Sequence, residues 1–208
     1  MINSVLALGF DDSKINWSEL TPIAIEHKKT ATAEDINKAI DANISIVGVN
    51  VSSDIVLASG LIGGFLNIDA ASLLGKSSVG QDQQWIKDAG SLRDLLIVTR
   101  KLKSETQELI SQTLGADSLE LFNSLNTIAQ RQTRTILVGP GAIALGFIAM
   151  RSNSKLKESL LVANTPTIPS LTEAIKFMGC KVIMNTKENI HPLAELALAV
   201  SALKASEL

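Results

Sequence analysis

The feature that most constrains the fold of this chain is a series of short apolar runs with amphipathic, capped segments between them. Ser4–Phe10, Ile44–Val49, Leu95–Val98, Thr135–Gly139, Leu160–Ala163 and Lys181–Asn185 are each bounded by polar, Gly or Pro residues. They are mostly apolar on both faces, as strands are when helices cover both sides of a parallel sheet. The segments between them carry helix signals. Thr32–Ala42 opens with Thr32 and Asp35 at capping-box spacing and buries Ile36, Ala39 and Ile40. Lys103–Leu114 has Ser104 and Gln107 at the same spacing, with Gly115 as its stop. Asp117–Gln130 repeats the device with Asp117 and Glu120, and places Leu121, Phe122, Leu125 and Ile128 on one face. Pro169 and Gly179 frame a helix carrying Leu171, Ala174, Ile175 and Met178. Pro192 opens a last helix with a stripe of Leu193, Leu196, Ala197, Val200 and Leu203. Alternation of this kind predicts one α/β domain over residues 1–208, with a mostly parallel sheet flanked by helices. Lys76–Arg93 reads as a polar interruption.

Composition narrows the function. Hydrophobic residues make up 46% of the 208, but aromatics only 3% and Tyr is absent, so the core must be aliphatic. Lys and Arg number 19 against 21 Asp and Glu, and the net charge is −2. No basic run stands out, which argues against a nucleic-acid partner held by phosphate neutralisation. The single cysteine, Cys180, excludes an internal disulfide and a multi-cysteine zinc site. No apolar stretch reaches membrane-spanning length, and Met1–Phe10 lacks the basic start and cleavage pattern of a signal peptide. The expectation is a soluble, cytoplasmic protein with no membrane partner.

In an open parallel sheet, ligands sit at the carboxyl ends of the strands. The loops expected there are Asn50-Val51-Ser52-Ser53, Thr99-Arg100, Gly139-Pro140-Gly141, Asn164-Thr165-Pro166 and Asn185-Thr186-Lys187. They are small, hydroxylic or amidic and contain no acid, which suits an anionic ligand next to helix N-termini. The same residue types are also ordinary turn and cap residues. The glycines of Gly139–Gly146 miss the G-x-G-x-x-G spacing, and no Walker lysine follows. Cys180 reads as packing and His191, before Pro192, as a helix-start residue. Metal ligands are too few for a site. His27, within Glu26-His27-Lys28-Lys29-Thr30, is expected in a polar loop, where an imidazole can both give and accept a proton near neutral pH.

The order of these segments resembles the precorrin-8X methylmutase (precorrin isomerase) family of cobalamin biosynthesis. Ala24–Thr30 is similar to the family's V-I-H-T-T segment. Ile46–Asn50 through Leu57–Leu61 is similar to its I-L-V-D-V-N-M-V-x-x-G-I strand and turn, and Gly139–Leu145 to G-N-A-P-T-A-L. Leu161–Leu171 matches the next strand and loop in position, and Asn185–Ile190 with Leu193–Lys204 the closing turn and alanine-rich helix. Ala116-Asp117-Ser118 stands where the family has T-R-S, and Gly48 where it has an acid. The resemblance implies an isomerase that moves a methyl group from C-11 to C-12 of a tetrapyrrole substrate without a cofactor. His27 would be the acid, and Asn50, Ser52, Ser53, Gly139, Pro140, Gly141, Asn164, Thr165 and Lys187 would bind the substrate. It also implies a homodimer. Two alternatives remain open: a catalytically altered relative that binds a tetrapyrrole or other anionic small molecule, and a nucleotide-binding α/β protein.

Overall fold

A computed structural model describes residues 2, 4–10, 23–75, 82–186 and 190–206. The described chain runs through β1 (Ser4–Leu8), β2 (Ala24–Lys28), α1 (Ala33–Asp41), β3 (Ile46–Asn50), α2 (Ile55–Leu66) and α3 (Ala70–Leu74). It continues with α4 (Asp82–Leu102), α5 (Thr106–Leu114), α6 (Ala116–Arg131), β4 (Arg134–Val138) and α7 (Gly139–Ser152). A 3-10 turn at Ser154–Glu158, β5 (Leu160–Asn164), α8 (Pro169–Met178), β6 (Lys181–Met184) and α9 (Pro192–Ser206) complete it.

The six strands form one sheet in the order β2-β1-β3-β4-β5-β6. Every pairing is parallel, with Ala7 beside His27 on one flank and beside Gly48 on the other. From β1 the chain steps outward to β2, then crosses back to β3 on the other side. The direction of winding therefore reverses between β1 and β3.

Side-chain alternation sends the two faces of each strand into different cores. Leu6, Leu8, Val47, Val49, Leu137 and Val162 face a large cluster shared with helices α1, α2 and α5 to α8. Val5, Ala7, Ile46, Ile136 and Val138 face the opposite way, onto Leu193, Leu196, Ala199 and Val200 of α9. Each such aliphatic side chain removed from water stabilises the fold by roughly 1.5–3 kcal/mol. Gly48 belongs to the α9 face. A Cβ there would lie 2.5 Å from Leu196 Cδ2, so its bare backbone lets α9 seat closely on the sheet.

Four expectations need correction. Leu95–Val98 is part of the helix α4, not a strand, and α4 also takes in residues 82–93 of the expected polar interruption. Its buried residues Ala89, Leu92, Leu96 and Thr99 recur at helical spacing, while Ile97 is 66% exposed. The segment around His27 is the strand β2 rather than a loop; its polar residues are tolerated because β2 is an edge. The cap expected from Ser104 and Gln107 does not form: α5 starts at Thr106, with Glu105 before it and no side-chain cap. Asp117 likewise caps nothing, since Gly115 precedes α6, and its carboxylate pairs instead with Lys29 at 2.6 Å.

The helix α2 was not anticipated. It is apolar nearly all round, and Asp54 caps it by accepting the Leu57 N–H at 2.7 Å. Its Gly60 and Gly64 lie where a Cβ would strike Leu95 and Thr99 of α4, so the two helices pack backbone to side chain. Among the described residues no helix is long and apolar enough to cross a membrane.

Candidate functional site

The loops at the carboxyl edge of the sheet enclose two neighbouring cavities, separated by the start of α7. The first, about 350 Å³, lies over β4 to β6. Ile143, Ile168 and Leu171 give it apolar walls, Asn164 and Thr165 a polar lip, and Glu195 of α9 a carboxyl group. The second, about 300 Å³, opens where the winding reverses, between the tips of β1, β3 and β4. Asn50, Ser52, Ser53 and His191 line it. Gly139, Pro140 and Pro192 line both cavities, and no Lys or Arg of the described residues lines either.

Local sequence explains this geometry. Gly139 follows β4 directly with φ +80°, a left-handed backbone that turns the chain sharply into α7. Pro140 then fills a first-turn position that needs no N–H donor. Gly141 is pressed against the loop after β3: a Cβ would lie 2.4 Å from the Val51 carbonyl oxygen and 2.6 Å from Ser53 Oγ. Asn50 donates from Nδ2 to the Gly9 carbonyl at 3.2 Å, tying β3 to β1.

Asn164 is engaged within the protein. Its Nδ2 donates to Thr186 Oγ1 at 2.7 Å, while its Oδ1 accepts the Thr165 and Thr186 N–H groups at 2.9 and 2.8 Å. Thr165 leans on β6, its N–H donating to the Met184 carbonyl at 3.1 Å. These two expected ligand-binding residues thus build the lip of the first cavity. Lys187 lies outside the described residues.

His27 lines neither cavity. Its Nε2 stands 2.6 Å from the Phe10 carbonyl oxygen, an acceptor, so that nitrogen carries the proton and donates it within the protein. His191 occupies the helix start expected of it, where Nδ1 accepts the Leu193 N–H at 3.4 Å. Cys180 is half-buried against the main core, and burial pushes its thiol up to about 11, far from the reactive thiolate form.

Glu195 escaped the sequence reading. It stands in the first turn of α9, beside Leu193 and Leu196, in an otherwise apolar helix segment. Burial pushes its carboxyl up to about 7, so it exchanges a proton near neutral pH. An acid flanked by the buried stripe of a helix was the available signal.

No protein-family model matches the chain. A nicotinate-nucleotide–dimethylbenzimidazole phosphoribosyltransferase of Streptomyces avermitilis is 21% identical over 196 residues, covering 88% of this chain and 52% of that protein. The chain therefore spans about half the length of the curated relative it matches. Two crystal structures from Thermus thermophilus share the fold over 98% of this chain. One is a protein with that same transferase name (TM-score 0.68, 11% identity, 81% of its chain), the other is CobT (TM-score 0.71, 12% identity, 82% of its chain).

These findings correct the family resemblance. The pathway, cobalamin biosynthesis, is common to both, but the matched enzyme is a phosphoribosyltransferase and not the precorrin-8X methylmutase. The matched proteins are transferases, which overturns the expected isomerase chemistry and methyl migration, and with them the macrocycle-protonating role of His27.

Proposed function

We propose that this chain carries the catalytic α/β unit of a phosphoribosyltransferase, moving a phosphoribosyl group from a nicotinate nucleotide to a benzimidazole-type base. The observation that carries the reading is Glu195: a carboxyl raised to about 7 in an apolar-walled cavity at the carboxyl edge of the sheet. The likeness of fold to the Thermus proteins supports it.

The chemistry asks for such a group. An imidazole-type nitrogen attacks the anomeric carbon of the nucleotide, the new C–N bond forms, and the bond to nicotinate breaks. The acceptor must shed its N–H proton, and a carboxylate titrating near neutrality accepts it within the cavity. Ile143, Ile168 and Leu171 offer apolar contact to a flat aromatic acceptor. Their walls also keep water from the carboxyl and hold its proton affinity high.

The test is formation of the ribosylated base from nicotinate mononucleotide and dimethylbenzimidazole. Glu195→Gln should lower kcat by about 10²–10⁴. The wild-type rate should climb as pH rises through about 7, when Glu195 becomes a carboxylate, and the variant should lose that rise. Equal turnover and equal pH profiles would remove Glu195 from the mechanism, and no turnover by the wild type would sink the reading.

A further inference from the structure

The buried hydroxyls of Ser59 and Ser170 take no part in the chemistry assigned to Glu195. We infer that the hydrogen bond between them gauges the first cavity, fixing the gap that admits a flat aromatic base. That the base is a benzimidazole rests on the transferase reading above; the gauge itself rests on how α2 meets α8.

Ser59 Oγ and Ser170 Oγ lie 2.7 Å apart, and both side chains are shut off from water. Among the described residues this is the one hydrogen bond joining α2 to α8. Ile55 stands one turn before Ser59, on the same side of α2. Ser170 lies in the first turn of α8, with Leu171 next to it and Ile168 just ahead of the helix. Ile55, Ile168 and Leu171 all line the first cavity, and neither serine does. The bond therefore ties together the two helices that supply these walls, about one helical turn, or roughly 5 Å, in from Ile55. Both serines act through their neighbours and are positioning residues.

The chemistry of the pair suits this role. Apolar contact is non-directional, so on its own it lets two helices slide past each other. A hydrogen bond holds only over a narrow range of distance and angle, and breaking it inside the protein strands polar groups without water. Bare backbone at Gly60 and Gly64 seats α2 against Leu95 and Thr99 of α4. Helix α2 is thus the fixed jaw, and the serines set the distance of α8 from it. A flat ring fills a gap that a puckered ring of the same outline must force open.

The experiment is calorimetric titration of the whole chain with benzimidazole and, separately, with tetrahydrobenzimidazole, whose saturated ring is puckered. Wild type should bind the flat base tighter by about tenfold. Ser59→Ala and Ser170→Ala should each lower the urea midpoint, because one buried hydroxyl loses its partner; the double variant should regain most of it. Benzimidazole affinity should fall by about tenfold in all three variants, and the preference for the flat ring should shrink with it. In the transfer assay the double variant should raise KM for the base by a similar factor and keep kcat, since Glu195 stands on α9. A role confined to stability predicts the opposite: a double variant with wild-type affinity and preference. That result would overturn the inference, as would a wild type that binds both rings equally or binds neither. If a single variant fails to fold, the double variant carries the decision. Absence of transfer by wild type would remove the transferase reading and leave the ring preference to be judged by titration alone.

Discussion

Asn164 shows how a residue expected to hold a ligand can instead be what holds the site. Its three hydrogen bonds lock the turn after β5 to the turn after β6, at the lip of the first cavity. Asn164→Ala would strand the Thr186 N–H and hydroxyl together. We expect a loss of about 1–3 kcal/mol, the cost of unsatisfied polar groups, read from urea unfolding. Glu195 leads to a second prediction. Its carboxyl titrates at about 7 when folded against an ordinary 4.5. Between those values the folded chain binds a proton that the unfolded chain has released, so this group's stabilisation is full below pH 4.5 and is lost as pH rises to 7. The melting temperature of Glu195→Gln relative to wild type should accordingly rise between about pH 5 and about pH 8. A difference that stays flat would mean that the carboxyl titrates normally. The role of Asn164 was not legible in the sequence, because its hydrogen-bond partner lies 22 positions away; the helix stripe marked Glu195, but its burial depends on how α9, β5 and β6 meet.

At the scale of elements, legibility followed the spacing of apolar residues around each run. Runs apolar on both faces, such as Thr135–Gly139 and Leu160–Ala163, became the interior strands β4 and β5, the first displaced by one residue at both ends and the second extended by one. Leu95–Val98 failed because four apolar residues fit either period; only the wider spacing of Ala89, Leu92, Leu96 and Thr99 reveals the helix. The strand β2 was missed for the opposite reason: on an edge, alternating polar residues mimic a loop. Glycines supply a matched pair of predictions here. Gly141→Ala would push a methyl group into the Val51 carbonyl, which is backbone and cannot yield cheaply. It should cost about 1–3 kcal/mol and reduce nucleotide binding by shifting the wall between the cavities. Gly90→Ala, within α4 and with nothing near its Cβ, should stabilise the chain by about 0.5–1 kcal/mol. Denaturant midpoints that move in the same direction for both variants would contradict this picture of the packing.

For the whole molecule, the repeated strand–helix unit was enough to fix the architecture and too little to fix the chemistry. A six-stranded parallel sheet with helices on its faces was expected in kind and is found. The isomerase reading went astray because the order of strands, glycine turns and capped helices is shared by α/β proteins with unrelated reactions, and Gly139–Leu145 or Ile46–Asn50 fits several of them. The second cavity forms only where the winding reverses between β1 and β3, which no local motif encodes. The last helix completes the arrangement. Leu196 of α9 rests on the bare backbone of Gly48, while Glu195 in the first turn of α9 and His191 just before the helix face different chambers. Leu196→Ala should cost about 2–5 kcal/mol. It should also depress the proposed transfer, although Leu196 lines neither cavity. A folded variant with wild-type turnover would mean that the seat of α9 does not position Glu195. The Glu195 carboxyl is thus a tooth on a key, and the notch at Gly48 sets how far that key is inserted.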